Sequence, residues 1–155
     1  MILGSWDPDY GGLLVEIKTG FIEMKTRGNT DIIDITDKVQ GIVTDCGLKE
    51  GSALLFAKGS TGGITTVEYE PGLVKTDLPR LFDTLAPYGE HYAHHNTWGD
   101  DNGSSHVKAS LLGCSITVPF IDGQLFLGTW QQIIFIDFDT RSRSRTIAVQ
   151  VSGTK

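Results

Sequence analysis

Between Ser115 and Phe138 three apolar runs follow one another with almost no spacer, and this limits the fold more than any other stretch. "SITVPF" turns through "IDG" into "QLFLG", and "TWQQIIFIDF" comes next. Asp122-Gly123 has the chemistry of a two-residue hairpin turn, which needs positive φ at its centre. A connection that short joins antiparallel neighbours, because a parallel pair needs a long crossover. "RTIAVQV" then closes the chain as a further strand.

Upstream, "LLVEIKT" and "FIEMKT" alternate apolar and polar residues with the period of half-buried strands. "SALLFAK" reads as a short buried strand, and "GITTVEYE" as another beyond the glycine-rich "KGSTGG". Helical spacing is confined to three places. "DIIDITDKVQGIVTDCGL" puts Val39, Ile42 and Val43 on one face, with Asp34 or Thr36 as the cap and Gly47 as the stop. "PGLVKTDLPRLFDTLAP" spaces Leu73, Leu78, Leu81, Phe82 and Leu85 helically, with Pro79 in a first turn or at a break between two helices. "SSHVKASLLG" has a serine start and a glycine stop. Many strands with two or three helices predict an α+β domain of largely antiparallel sheet. The 155 residues fit one domain over 1–155.

Composition removes several function classes. The formal net charge is −6 with a pI near 5.0, and an acidic chain repels a phosphate backbone, so nucleic acid is not an expected partner. No apolar run has the length of a membrane helix. The start "MILGSWDPDYGG" has neither the basic region nor the apolar core of a signal peptide. Cys46 and Cys114 lie far apart in no C-x-x-C pattern and read as free thiols of a reducing compartment. The expected location is cytoplasmic.

The chemistry-bearing residues are unevenly spread. "HHNTWGDDNGSSH", His94 to His106, holds three of the four histidines. Read as an extended segment, it points His94 and His95 opposite ways, so one of them at most faces a common site. His106, in the first turn of the next helix, can face back toward the loop. Two imidazoles and Asp101 would give three metal ligands with open positions, the pattern of catalytic zinc. A metal-free, hydrogen-bonded cluster that moves protons is the competing reading. Asp101 or Asn102 could also serve only as a helix cap.

In "KGSTGG" the glycines let backbone N–H groups approach an anion, and Ser60 and Thr61 add hydroxyls; the plain alternative is a flexible strand connection. Arg141, Arg143 and Arg145 alternate in "TRSRSRT". An extended chain would put all three on one face, about 7 Å between neighbours. That suits a phosphate or diphosphate, unless the stripe merely guards an edge strand. In "GTWQQ", Trp130 could stack on a ring and Gln131 bond to its edge, or Trp130 could be core. Glu68 is a candidate second carboxylate.

The segment from "YAHH" to "VSG" resembles the YjbQ-like family. The match is carried by "HH…GDDNG…H" with a small-residue helix ending in "LLG", by "VPF…DG…LGTWQ", and by the spaced arginines before the closing strand. "GSTGGITTVEYEPGL" with Asp77 looks like the family's central region, so the likeness covers about residues 34–153. The resemblance implies an α+β fold, a homotrimer and, in some members, a secondary thiamine-phosphate synthase activity. That reaction joins hydroxymethylpyrimidine diphosphate to a thiazole phosphate and releases diphosphate. The resemblance also implies a divalent metal, zinc or magnesium, at the histidine region, and no organic cofactor is expected. Carried onto this chain, His94, Asp101, His106, Glu68 and Gln131 are the expected catalytic residues, with Thr129 and Trp130 at the substrate. Ser60, Thr61, Arg141, Arg143 and Arg145 join the substrate contacts on their own chemistry, and His94, His106 and Asp101 are the expected metal ligands. Gly59 departs from the pattern, because some members carry a histidine there. The alternatives are a metal-dependent hydrolase of a phosphorylated metabolite and a non-catalytic metal- or phosphometabolite-binding trimer. These readings expect the histidine loop and the Thr129-Trp130-Gln131 corner to share one pocket.

Overall fold

Strand β1 (Glu16–Thr26) joins the two alternating segments into one strand, with Ile22 turned inward between the outward Phe21 and Glu23. The computed structural model describes residues 14–155, so the "WDPDYGG" start lies outside the described residues. After β1 come β2 (Asp31–Asp34), α1 (Thr36–Cys46), β3 (Glu50–Lys58) and β4 (Gly62–Val67). A π-helical turn, Leu73–Asp77, runs into α2 (Leu78–Leu85), followed by α3 (Ala93–Trp98) and α4 (Gly103–Leu112). The chain ends with β5 (Ser115–Ile121), β6 (Gln124–Leu125), β7 (Gln132–Asp137) and β8 (Arg143–Thr154). A five-stranded sheet has the order β1-β8-β3-β5-β6 and a three-stranded sheet the order β2-β7-β4. Every pairing is antiparallel, as the short connections require.

Strand β7 explains how the layers stack. Ile133 and Phe135 face the five-stranded sheet and helix α1, among Val39, Val43, Leu55 and Val149. Ile134 and Ile136 face the other way, with Phe138, against Phe82 of α2 and Ala109 of α4. A strand covered on both faces needs apolar residues at successive positions, which is why "IIFI" does not alternate. Each such side chain contributes roughly 1.5–3 kcal/mol by leaving water.

Four departures from the sequence expectation have local causes. His94 and His95 are not extended: Ala93–Trp98 is a helix, stopped by Gly99 in the left-handed region. That helix buries no residue, so it left no apolar period to read. Trp130 is not core; it is 71% exposed in a turn closed by the Gln131 N–H on the Gly128 carbonyl. Strand β8 is interior to its sheet, not an edge. The cap of α1 is also displaced. Ile35 holds the N-cap position, while the Asp34 carboxylate accepts the N–H and the hydroxyl of Thr36 at 2.9 and 2.6 Å. No helix among the described residues is long and apolar enough to cross a membrane.

Candidate functional site

Helices α3 and α4 are tied together by a half-buried histidine. His95 accepts the Gly103 N–H on Nε2 at 3.2 Å, which fixes the start of α4 against α3. This places His94, one residue earlier, beside His106 in the first turn of α4. The two rings lie 4.4 Å apart between centroids, tilted by 44°. Asp100 completes the group, with its Oδ2 3.5 Å from His94 Nε2. Turned with its NH2 toward Asp100, Asn102 donates to both carboxylate oxygens at 3.2 Å. Burial, together with the charge of His94, holds the His106 imidazolium below the usual histidine range, against the pull of Asp100, Asp139 and the Ser60 backbone.

His106 opens onto a cleft of about 510 Å³. The β3–β4 loop forms one wall with Gly59 and Ser60, and α4 forms the other with Ala109 and Ser110. Cys114, half-buried, closes the far end beyond Gly113. Gly59 has φ +133°, and a Cβ there would stand 3.3 Å from Arg145 Nη1. Only glycine lets the loop adopt this backbone while lying against the guanidinium. Thr61 does not reach the cleft as a free hydroxyl. It accepts Arg145 Nη2 at 2.7 Å and donates to Asp139 at 3.1 Å.

Each arginine of the stripe pairs with an aspartate. Arg145 clamps Asp137 through Nε at 2.7 Å and Nη2 at 2.6 Å, and the Thr26 hydroxyl donates to the same carboxylate. Arg143 grips Asp139 through Nε at 2.9 Å and Nη2 at 3.2 Å. Arg141 pairs with Asp101 at 3.0 Å. Burial alone would raise the Asp139 carboxyl, but the hydrogen bonds of Arg143 and Thr61 and the two guanidinium charges outweigh it, so it is held low. Asp137 and Asp139 were absent from the sequence expectation. Their signal was present in "DFDTRSRSR", where acids two apart precede arginines two apart.

The expected pocket therefore divides. His94, His106, Ser60, Thr61, Arg143 and Arg145 gather at the Gly62–Asp137 end of the three-stranded sheet. Glu68, Thr129, Trp130 and Gln131 lie at its other end, where Val67 pairs with Gln132. Five residue steps along β4 separate the ends, about 17 Å at ~3.4 Å per residue. There Gln131 closes its own turn, accepting the Gly128 N–H at 3.1 Å and donating to the Thr66 hydroxyl at 2.8 Å. Within one chain, the Thr129-Trp130-Gln131 corner does not meet the histidines.

A metal is implied by the resemblance, and two imidazoles with a carboxylate have suitable donor chemistry. Yet among the described residues no three His, Cys, Asp or Glu side chains are grouped to hold one ion. Asp101, the expected third ligand, instead accepts the Thr140 hydroxyl and Arg141, both at 3.0 Å, which together hold its carboxyl low. The donors as placed do not fit a three-ligand site.

Comparison with known proteins is consistent with this architecture. The family model described as UPF0047 protein YjbQ-like matches residues 21–154. The chain belongs to the YjbQ-like UPF0047 family. A UPF0047 protein of Methanothermobacter thermautotrophicus is 36% identical over 142 residues, covering 92% of this chain and 96% of the relative. The UPF0047 protein YugU of Bacillus subtilis is 35% identical over 132 residues, covering 85% and 97%. A YbjQ-like protein of unknown function from Sulfolobus solfataricus superposes with a TM-score of 0.84 at 31% identity, over 90% of this chain and 99% of that one. A hypothetical protein from Aeropyrum pernix does so at 0.81 and 29%, over 88% and 98%. Thus the α+β fold of this chain is the fold of its family.

Proposed function

We propose that this protein acts on a small phosphorylated metabolite in the cleft between the Gly59–Ser60 loop and α4. The observation that carries the reading is His106, whose ring lies 4.4 Å between centroids from that of His94 and which opens onto a cleft bordered by a glycine loop. The loop offers backbone N–H groups and the Ser60 hydroxyl to phosphate oxygens. Arg145 lies behind the loop with its charge paired to Asp137. With the His106 imidazolium disfavoured, His106 is the neutral partner near pH 7 and can accept a proton. His94 stands behind it, with its Nε2 3.5 Å from the Asp100 carboxylate.

The family resemblance narrows the reaction to thiamine-phosphate synthase chemistry. The thiazole ring nitrogen forms a bond to the methylene carbon of the pyrimidine, and the C–O bond to diphosphate breaks with its electron pair going to the departing oxygen. The leaving diphosphate needs positive charge and donors more than it needs a base. In this reading, the loop N–H groups and the Ser60 hydroxyl supply the donors. The expected homotrimer would use the outer face of the five-stranded sheet, where Phe21 and Phe56 flank Ala148 and are 64% and 48% exposed.

The test is product formation from the two thiamine precursors with Mg²⁺, run with wild type, His94→Gln, His106→Gln and Gly59→Ala. Loss in all three variants, with fold retained by circular dichroism, supports the cleft as the site. Activity unchanged in both histidine variants rules it out. Saturable binding of the precursors without turnover supports a binding module instead.

A further inference from the structure

We infer a second binding site, separate from the histidine cleft, for a small planar ring that carries a phosphate or carboxylate. It is a cleft of about 440 Å³ between the β1–β2 turn and the π-helical turn before α2. That volume lies in the range of small-molecule sites. Its chemistry has two parts. Ile32, Val74 and Pro79 give an apolar floor. Arg27 and Lys75 give two cations, and Tyr69 stands with them, its hydroxyl donating to the Ile32 carbonyl at 3.2 Å. A tyrosine pinned by its hydroxyl presents a fixed ring for stacking.

Arg27 is poised for a ligand rather than consumed by its ion pair. Its Nε and Nη2 bond Asp31 at 3.1 and 2.6 Å, while the side chain stays 88% exposed. Asp31 sets the guanidinium plane and leaves the Nη1 edge for an anion. Lys75 makes no ion pair among the described residues.

The walls are also unusual as backbone. Gly28, Asn29 and Thr30 are consecutive left-handed residues, with φ of 75°, 52° and 62°. A β-branched residue in that region is an outlier that persists only when its surroundings enforce it. Here they do. The Asn29 N–H bonds the Asp139 carbonyl at 2.7 Å, the Arg27 N–H bonds Asp31 at 2.9 Å, and the Thr30 hydroxyl meets Tyr88 at 3.2 Å. Gly28 is obligatory, because a Cβ would sit 2.5 Å from the Asp139 carbonyl oxygen. The opposite wall is the π-helical turn, a feature that recurs at functional sites. Two irregular segments thus face each other across two cations and an aromatic ring, and none of these residues takes part in the histidine cleft.

The experiment is a titration of the full chain with phenyl phosphate, benzoate and inorganic phosphate, followed by amide shifts in ¹H–¹⁵N spectra. Saturable shifts at Asn29, Thr30 and Lys75 with phenyl phosphate or benzoate, stronger than with inorganic phosphate, support the site. The two ring compounds tell which anionic group is preferred. Lys75→Ala leaves every fold contact named above intact and should weaken binding by about tenfold, the loss of one charge-assisted contact. Arg27→Gln should weaken it at least as much. Shifts confined to Ser60, His106 and Gly113, or affinity unchanged in both variants, would overturn the inference without touching the proposed function.

Discussion

Replacing Lys108 by methionine should make the protein more stable. Lys108 sits on the inner face of α4 with its side chain fully buried. Its ammonium lies 3.2 Å from the Tyr88 ring centroid and 3.8 Å from Asp83, too far for a hydrogen bond, and it reaches no acceptor among the described residues. Burial, only partly offset by Asp83, pushes it down to about 8 from 10.5. That depression corresponds to roughly 3 kcal/mol of penalty on the charged form at neutral pH. The contact with the tyrosine face returns up to about 2 kcal/mol. Methionine keeps the length and apolar stem without the charge, so the net gain at pH 7 is about 1–2 kcal/mol. Urea unfolding at pH 7 and pH 9.5 tests this, because the effect has a definite pH signature. Between about 8 and 10.5 the unfolded chain still holds the proton that native Lys108 has lost. In that window wild-type stability rises with pH from this group, and the penalty is complete below it. The gap between variant and wild type should therefore narrow as pH rises toward 9.5. A gap that does not change with pH, or a variant less stable than wild type at pH 7, would refute the argument.

Three further outcomes are expected. Arg145→Ala should destabilise the fold by about 3–5 kcal/mol in chemical denaturation, since it leaves the fully buried Asp137 carboxylate without its clamp. His106 should titrate by NMR below the usual histidine range and move upward in His94→Gln, with burial keeping it depressed. Because its folded value is lowered, the unfolded chain protonates first as pH falls, so stability drops from about pH 7 downward, and His106→Gln should remove that part of the loss. Phe56→Glu should shift any trimer seen by light scattering toward monomer, and an unchanged mass would place the contact elsewhere.

The antiparallel sheet was legible because its signals are local. Asp122-Gly123 dictates a hairpin, and the alternation in β1 and β8 dictates one buried face. Helix α1 was equally plain, with Val39 and Val43 inward and Gly47 as its left-handed stop. Helix α3 was not, because it is held by His95 and Gly103 rather than by an apolar face. The histidine pair was foreseen as chemistry but not as geometry, since its convergence depends on that tie. The placement of Trp130 could not be read at all. Which end of β7 adjoins the histidines is settled by sheet pairing, and no residue near Trp130 records it. The arginines show the same limit from the other side: their spacing is visible, but their partners are chosen by strand order.

The arginine–aspartate ladder has a consequence for how the chain finds its fold. Thr26 meets Asp137 across 111 residues, and Thr61 meets Arg145 across 84. No local segment can rehearse these two contacts, so the ladder is completed only after three distant stretches, around Thr26, Thr61 and residues 137–145, have assembled. A slip of β8 by a single residue would turn Arg143 and Arg145 to the opposite surface and leave two buried carboxylates without their countercharges. The ladder therefore acts as a proofreader, admitting one strand alignment and making its nearest competitors untenable.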